Sequence, residues 1–247
     1  MKTLSTISLL ALTAAPALAE DVGYDVDGVE HTGYFAAADD GEAAGLVVLV
    51  HDWNGIDDFE REQADMMAAE GYDVFVVDMF GADTPTGTME QNRAASSELG
   101  QDREKMRMLL QAGLDQAEQQ SDADGMVVAG YCFGGGVALE MARSDFADRA
   151  DGFGSFHGSL GLPEGQSYSP DAAPILIMHG GGDESQPLGS VYELMQTLEE
   201  AGATYTVEVY SGAPHGFTEP GDRYQERAAT ESWETFNDFL EDRLDNG

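Results

Sequence analysis

The sequence predicts an α/β fold with a mostly parallel central sheet and helices on both faces. Short apolar segments rich in β-branched residues alternate with longer segments whose apolar residues recur at helical spacing. Strands separated by helices of this length favour parallel pairing. Several of the short segments are apolar throughout, as expected of strands covered on both faces. In such sheets the functional residues lie on loops after the carboxyl ends of strands.

The strands follow from the apolar segments. We expect an opening hairpin with its turn at Asp27-Gly28, then buried strands, then one alternating strand near the end of the chain. The predicted strands are 22–26, 31–36, 46–50, 72–77, 126–129, 152–156, 175–178 and 204–209.

The helices are placed by their apolar faces and by capping residues. Gly71 is a left-handed cap that closes a helix over 58–70. Thr88 with Gln91 forms a capping-box pattern. The remaining predictions are one long helix from Thr88 that includes 106–117, a short helix over 137–143, a helix through 188–198 that ends at Gly202, and a terminal helix that includes 233–240.

Charge and composition exclude several function classes. The chain has 247 residues with 47 acidic and 11 basic side chains, a formal net charge of −36. Apolar residues make up 42%, which excludes a disordered acidic tail. Nucleic acid and anionic membranes need Lys and Arg, so neither is an expected partner. Without an Asp-x-Asp-x-Asp calcium loop, we interpret the acidity as a solvated surface adapted to high salt rather than a cation-binding surface.

The first 19 residues predict a secretory signal. Met1-Lys2 gives a positive start, 7–12 lie in an apolar run too short to span a bilayer, and 17–19 (ALA) is a small-x-small cleavage signal. We expect cleavage after Ala19, export to a bacterial periplasm, and a mature chain over 20–247 that forms a single domain.

Three loops that follow predicted strands carry unusual chemistry. Residues 130–135 (GYCFGG) match the nucleophile-elbow pattern, with the single cysteine of the chain, Cys132, where serine is commoner. The elbow glycines are expected because side chains at those positions would collide with neighbouring backbone. We expect the helix start behind Cys132 to lower the pKa of its thiol. The loops 180–183 (GGGD) and 213–217 (APHGF) supply Asp183 and His215.

The order nucleophile, acid, histidine is that of α/β-hydrolase triads. In a Cys–His–Asp set, the imidazole takes the thiol proton while the carboxylate fixes its tautomer. The backbone N–H of Phe133, which follows the nucleophile, is a candidate oxyanion-hole donor.

Together these loops resemble those of dienelactone hydrolases, the cysteine-nucleophile branch of the α/β-hydrolase fold, and the resemblance covers the mature chain. It implies hydrolysis of enol-lactones or related esters through an acyl-thiol intermediate, without metal or cofactor. It makes Cys132 the nucleophile, His215 the base and Asp183 its orienter. In the loop 51–55 (HDWNG) it places the second oxyanion donor at Trp53, and Asp52 where the family has a glutamate that modulates the thiol.

The sequence allows more than one substrate and more than one class of function. The resemblance implies arginines for a carboxylated dienelactone, but the corresponding stretches 80–83 (FGAD) and 215–219 (HGFTE) have none. A neutral ester or lactone is therefore the expected small-molecule partner, since a buried carboxylate without a cation is costly. His157 either lines the pocket or packs. We expect a monomeric carboxylic-ester or lactone hydrolase; the alternatives are a non-catalytic exported binding protein and a thiol-redox sensor.

Overall fold

The structure is a computed structural model that describes residues 19–39 and 41–244. Apart from Ala19, the predicted secretory signal lies outside the described residues. Eight strands fall where the sequence predicts them, with ends shifted by at most two residues. They are β1 (Glu20–Val26), β2 (Val29–Ala36), β3 (Leu46–Val50), β4 (Asp73–Val77), β5 (Met126–Tyr131), β6 (Gly152–Phe156), β7 (Ile175–Gly180) and β8 (Tyr205–Tyr210).

The eight strands form one sheet in the order β1-β2-β4-β3-β5-β6-β7-β8. β1 and β2 form the predicted hairpin, whose turn residues Asp27 and Gly28 both have positive φ, at 53° and 84°. β2 also pairs antiparallel with β4, whereas every pair from β4 to β8 is parallel. The carboxyl ends of β3, β5, β7 and β8 therefore open at one edge of the sheet, which positions the loops that follow them.

Within residues 19–39 and 41–244, six helices cover the sheet, and a short 3-10 helix lies at Ala147–Arg149. Helix α1 begins at an Asp57 capping box with Glu60, and α5 ends at Gly202 with φ of 72°. The helices are α1 (Asp58–Ala69), α2 (Met89–Gln101), α3 (Arg103–Gln120), α4 (Phe133–Met141), α5 (Leu188–Ala201) and α6 (Glu226–Leu244).

Two helix predictions are wrong in their bounds. The long helix expected from Thr88 is two helices, because the backbone of Asp102 leaves the helical region, with φ −102° and ψ 81°. Its N–H ends α2 on the carbonyls of Glu98 and Leu99, while its carboxylate accepts from the Lys105 N–H and starts α3. Helix α4 begins at Phe133 rather than 137, so Cys132 directly precedes it.

The core has one layer on each side of the sheet. Along β3, Val48 and Val50 pack with residues of α2, α3, α4 and α5, whereas Val47 and Leu49 pack with residues of α1 and α6. This alternation is the period of two expected of a strand buried on both faces. The predicted mostly parallel sheet with helices on both faces is confirmed. Among the described helices none is long and apolar enough to cross a membrane.

Candidate active site

The nucleophile elbow holds Cys132 in a strained conformation between β5 and α4. Its φ is 50° and its ψ −108°, a region that non-glycine residues rarely adopt, and its N–H donates to the Phe156 carbonyl at 3.0 Å. A Cβ at Gly130 would overlap the backbone of Gly134, and one at Gly134 would overlap the Val50 carbonyl. The steric reason for glycine at these two positions is confirmed.

The loops after β7 and β8 bring an acid and a histidine to the sulfur. Asp183 Oδ2 lies 2.8 Å from His215 Nδ1, and His215 Nε2 lies 3.0 Å from Cys132 Sγ. The second oxygen of Asp183 accepts the N–H groups of Ser185 and Gln186 at 2.8 and 2.9 Å. These partners place the imidazole proton on Nδ1, so Nε2 is free to accept the thiol proton.

The run of glycines before Asp183 is required because the loops after β7 and β8 lie very close together. A Cβ at Gly180 would overlap the Ala213 carbonyl, and the Gly182 N–H donates to that carbonyl at 2.9 Å. The Gly181 N–H donates to Tyr210 at 2.8 Å. The loop that carries the acid is thereby bonded through its backbone to the loop that carries His215.

The thiol of Cys132 is not activated in the resting structure. Burial, followed by the negative charges of Asp52 and Glu219, raises its pKa to about 12, although the Phe133 N–H lowers it. The expectation that the helix start would lower the pKa is therefore wrong in its net result, because burial and two carboxylates outweigh the helix end. At neutral pH the sulfur therefore carries its proton, and His215 Nε2, 3.0 Å away, is placed to accept it.

Asp52 is buried but makes no hydrogen bond to Cys132 within the described contacts. Its Oδ1 accepts from the Asn54 N–H at 2.9 Å, and its own N–H donates to Glu60 Oε1 at 3.2 Å. Burial raises the pKa of Asp52 to about 7, and the charges of Glu219 and Asp57 add to this effect. Burial, followed by the charge of Asp52, raises the pKa of Glu60 to about 8. Asp52 therefore acts on the thiol through charge, not through contact.

The two predicted oxyanion-hole residues border the cavity that contains the sulfur. This cavity, of about 390 Å³, is lined by Trp53, Cys132 and Phe133 together with residues of α2 and α3. The Trp53 N–H makes no hydrogen bond within the described residues. It is therefore available to a ligand in the cavity, and the Phe133 N–H already faces the sulfur.

His51 holds the loop that carries Trp53, a role that the sequence reasoning missed. Its Nδ1 lies 2.6 Å from the Asp52 carbonyl, to which it donates, and its Nε2 accepts from the Met79 N–H at 3.0 Å. The ring is fully buried, and burial lowers its pKa, which keeps it neutral. A histidine directly after an apolar strand was the available signal.

His157 packs behind the candidate triad. Its Nε2 lies 2.8 Å from Thr218 Oγ1, and its ring meets that of His215 edge-on at 5.2 Å between centroids. Burial, reinforced by the charge of His215, lowers its pKa well below the ordinary value. A neutral packing histidine fits these contacts.

An arginine from α3 borders the cavity, although the stretches 80–83 and 215–219 contain none. Arg103 lines the cavity with Cys132, and its guanidinium lies 3.5 Å from Glu140. That carboxylate is closer to Arg107 and Arg143, at 2.7 and 2.9 Å. Arg103 was missed because the helix break at Asp102, which sets where it lies, was not predicted.

The described residues contain no group of three or more His, Cys, Asp or Glu side chains placed to hold a metal ion. A larger cavity of about 540 Å³ lies between α1 and α6 and is lined by aromatic side chains, but it contains none of Cys132, Asp183 and His215. The arrangement of Cys132, His215 and Asp183 is suited to nucleophilic attack by sulfur, with a histidine positioned as base.

Comparisons with known proteins agree with this geometry. The model of the dienelactone hydrolase family matches residues 32–244. A carboxymethylenebutenolidase of Pseudomonas putida is 26% identical over 205 residues, which is 80% of this chain and 85% of the relative. The solved structure of m3DLH superposes with a TM-score of 0.83 at 25% identity, over 93% of this chain and all of the other.

A second solved structure supports the fold alone. The dienelactone hydrolase-like promiscuous phosphotriesterase P91 from metagenomic libraries has a TM-score of 0.78 at 23% identity, over 93% of this chain and all of the other. The predicted α/β-hydrolase fold is confirmed by these superpositions. The chain belongs to the dienelactone hydrolase family and is an enzyme of the carboxylic-ester and lactone hydrolases.

Proposed function

We propose that the protein is an exported hydrolase that cleaves neutral carboxylic esters or lactones through Cys132, His215 and Asp183. The observation that carries the proposal is the unbroken series of contacts from Asp183 Oδ2 through the His215 ring to Cys132 Sγ, at 2.8 and 3.0 Å. Sulfur, imidazole and carboxylate have the partners that a triad requires.

In the acylation step, Cys132 Sγ attacks the ester carbonyl while His215 Nε2 takes the thiol proton. The negative charge on the carbonyl oxygen is stabilised by the N–H groups of Trp53 and Phe133. When the tetrahedral species collapses, the imidazolium gives its proton to the leaving alkoxide, and Asp183 stabilises the imidazolium in the interval. Water then attacks the acyl-thiol with His215 as base, which releases the acid and restores the thiol.

The raised thiol pKa favours this order of events over a resting thiolate–imidazolium pair. Because burial, together with the charges of Asp52 and Glu219, disfavours a free thiolate, the proton transfer to His215 is coupled to the formation of the carbon–sulfur bond. The same carboxylates and the net charge of −36 disfavour an anionic substrate near the sulfur. Arg103 is a positive charge in the wall of the cavity that contains Cys132. Glu140, 3.5 Å from its guanidinium, partly neutralises that charge.

The experiment is to trap the acyl-enzyme with a p-nitrophenyl ester. We expect a burst of nitrophenol, an acyl adduct on Cys132 by peptide mass spectrometry, and its clearance. Cys132→Ala should lose about 10³-fold or more in turnover while melting at a similar temperature. An inert thiol would support the binding-protein alternative, oxidation-dependent capture of a partner would support the redox sensor, and either would overturn the proposal.

Export is a separate part of the proposal and rests on residues 1–19. Expressed with its leader in a Gram-negative host, the chain should appear in the periplasmic fraction with Glu20 as its first residue. A chain that keeps Met1 and stays in the cytoplasmic fraction would overturn this part without affecting the chemistry.

A further inference from the structure

The loop that carries Asp183 also fixes Gln186. The N–H of Gln186 donates to Asp183 Oδ1 at 2.9 Å, and its carbonyl accepts from His179 Nε2 at 2.8 Å. Its side-chain Oε1 accepts from the Leu160 N–H at 3.3 Å. Three of the polar groups of Gln186 are therefore engaged in holding this residue in place.

These contacts place the amide of Gln186 beside the elbow. The residue before Leu160 is Ser159, whose N–H donates to the Cys132 carbonyl at 3.1 Å. Gln186 and Ser159 both line the cavity of about 390 Å³ that contains the sulfur. Gln186 thus borders the space that an ester bound at Cys132 would occupy.

The unused group of Gln186 is a hydrogen-bond donor. Because the Leu160 N–H can only donate, the amide atom that faces it has to be Oε1, which leaves Nε2 on the other side. Within the part of the chain that the structure describes, Nε2 has no hydrogen-bond partner. The hydroxyl-bearing residues Ser96, Ser97 and Ser159 line the same cavity, so its wall is polar beyond the reacting centre.

We propose that Gln186 is a specificity residue whose Nε2–H binds a second, uncharged oxygen of the substrate. The preferred substrate is then an ester or lactone that carries a further ether, hydroxyl or carbonyl oxygen, rather than a plain alkyl ester. This inference rests on the proposed function, since it assumes that the substrate is attacked at Cys132. An amide held at its other polar groups loses little freedom when it binds, so its hydrogen bond discriminates well.

The test compares two p-nitrophenyl esters of equal length, the pentanoate and a methoxypropanoate in which one CH₂ is replaced by oxygen. The wild type should prefer the ether-containing ester by about tenfold in kcat/KM. Gln186→Met removes the donor, and Gln186→Glu keeps an acceptor for the Leu160 N–H but replaces the donor. Both variants should lose this preference, mainly through KM, and still hydrolyse the pentanoate. Gln119→Glu, which adds the same charge on an exposed part of α3, should keep it.

Three outcomes would overturn the inference: no preference in the wild type, a preference that survives both substitutions, or an equal loss on both esters, which indicates a structural role. If Gln186→Met does not fold, Gln186→Glu decides, because it retains the contact with Leu160. Failure of the proposed function is seen separately, since Cys132→Ala would then retain activity on both esters.

Discussion

Two cavities near Cys132 differ in the charge of their walls. The cavity that contains the sulfur is lined by hydroxyls, an amide and the guanidinium of Arg103. The other, of about 270 Å³, contains Asp52 and Glu219 and is bordered by Asp57, Asp58, Glu60 and Glu62. We refer to them as the donor cavity and the carboxylate cavity. The thiol lies in the first but is influenced by charges of the second.

The difference indicates that one cavity suits recognition of the substrate and the other controls the reactivity of the thiol. Donors in the donor cavity suit the oxygens of an ester, whereas a carboxylate next to the sulfur contributes nothing to carbonyl binding and makes a free thiolate costly. A protonated resting thiol reacts slowly with oxidants and alkylating agents, since the thiolate is the reactive form. Under the proposed mechanism, Cys132 is therefore protected from oxidants and alkylating agents. It still reacts with substrates whose attack is accompanied by proton transfer to His215.

The largest expected effect tests the contact between Asp183 and His215, the residue that lies 3.0 Å from the thiol of the donor cavity. Asp183→Asn should reduce kcat by about 10²–10⁴-fold, because an amide cannot fix the Nδ1–H tautomer or stabilise the imidazolium. Steady-state rates on an activated ester measure it. The two N–H bonds to Oδ1 can persist in this variant, so the melting temperature should change little. A loss below threefold would show that another group orients the ring.

The next effect addresses the carboxylate cavity directly. Asp52→Asn removes the negative charge that raises the thiol pKa most, while its Oδ1 can still accept from the Asn54 N–H. The pKa of the thiol should fall, and iodoacetamide should alkylate Cys132 about three- to tenfold faster near pH 8. Asp58→Asn, a matched change on an exposed residue of the same cavity, should leave the rate unaltered. Equal rates in all three proteins would contradict the assigned influence of Asp52.

The same variant predicts a change in the pH dependence of stability. Folding raises the pKa of Asp52 from 3.8 to about 7, so the folded chain keeps a proton that the unfolded chain releases. Stability contributed by the protonated group therefore falls as the pH rises from about 4 to about 7. Relative to wild type, Asp52→Asn should be more stable at pH 8 than at pH 5, as measured by urea unfolding. A constant difference between the two pH values would contradict this.

A smaller effect is expected from Arg103 in the donor cavity. If the substrate is neutral, Arg103→Gln should change kcat/KM for a neutral ester by less than about threefold, because Glu140 keeps Arg107 and Arg143 as partners. Arg149→Gln, away from the cavity, controls for the change in net charge. A loss of more than tenfold, confined to esters that carry a carboxylate, would instead make Arg103 an anion anchor and overturn the preference for neutral substrates.

Added salt should weaken the repulsion between exposed charges but have little effect on buried charges. With a net charge of −36, the melting temperature should rise with NaCl, since at about 1 M the Debye length is only about 3 Å. The thiol pKa measured by alkylation should change little, because buried pairs are screened much less than exposed ones. A melting temperature indifferent to salt would contradict the interpretation of the acidic surface.

Much of the fold, and the meeting of the three candidate residues, could be predicted because both follow from local rules. Apolar runs, capping residues and the elbow glycines act over a few residues, and the strand order then brings Cys132, Asp183 and His215 to one edge. The helix break at Asp102 could not be predicted, since the apolar period continues across it. The net shift of the thiol pKa also could not be predicted, since it depends on burial and on charges distant in sequence, at Asp52 and Glu219. The position of the Gln186 side chain depends on a contact with Leu160, which is equally distant from the local pattern.

The capping box of α1 couples the position of the loop that carries Trp53 to the start of the helix. One oxygen of Glu60 accepts from the Asp57 N–H and closes the cap, while the other accepts from the Asp52 N–H beside Trp53. Fraying of the first turn of α1 would release both amides together and loosen the peptide that carries the proposed oxyanion donor. Hydrogen exchange should therefore show the amides of Asp52 and Asp57 opening as one unit, with a common protection factor.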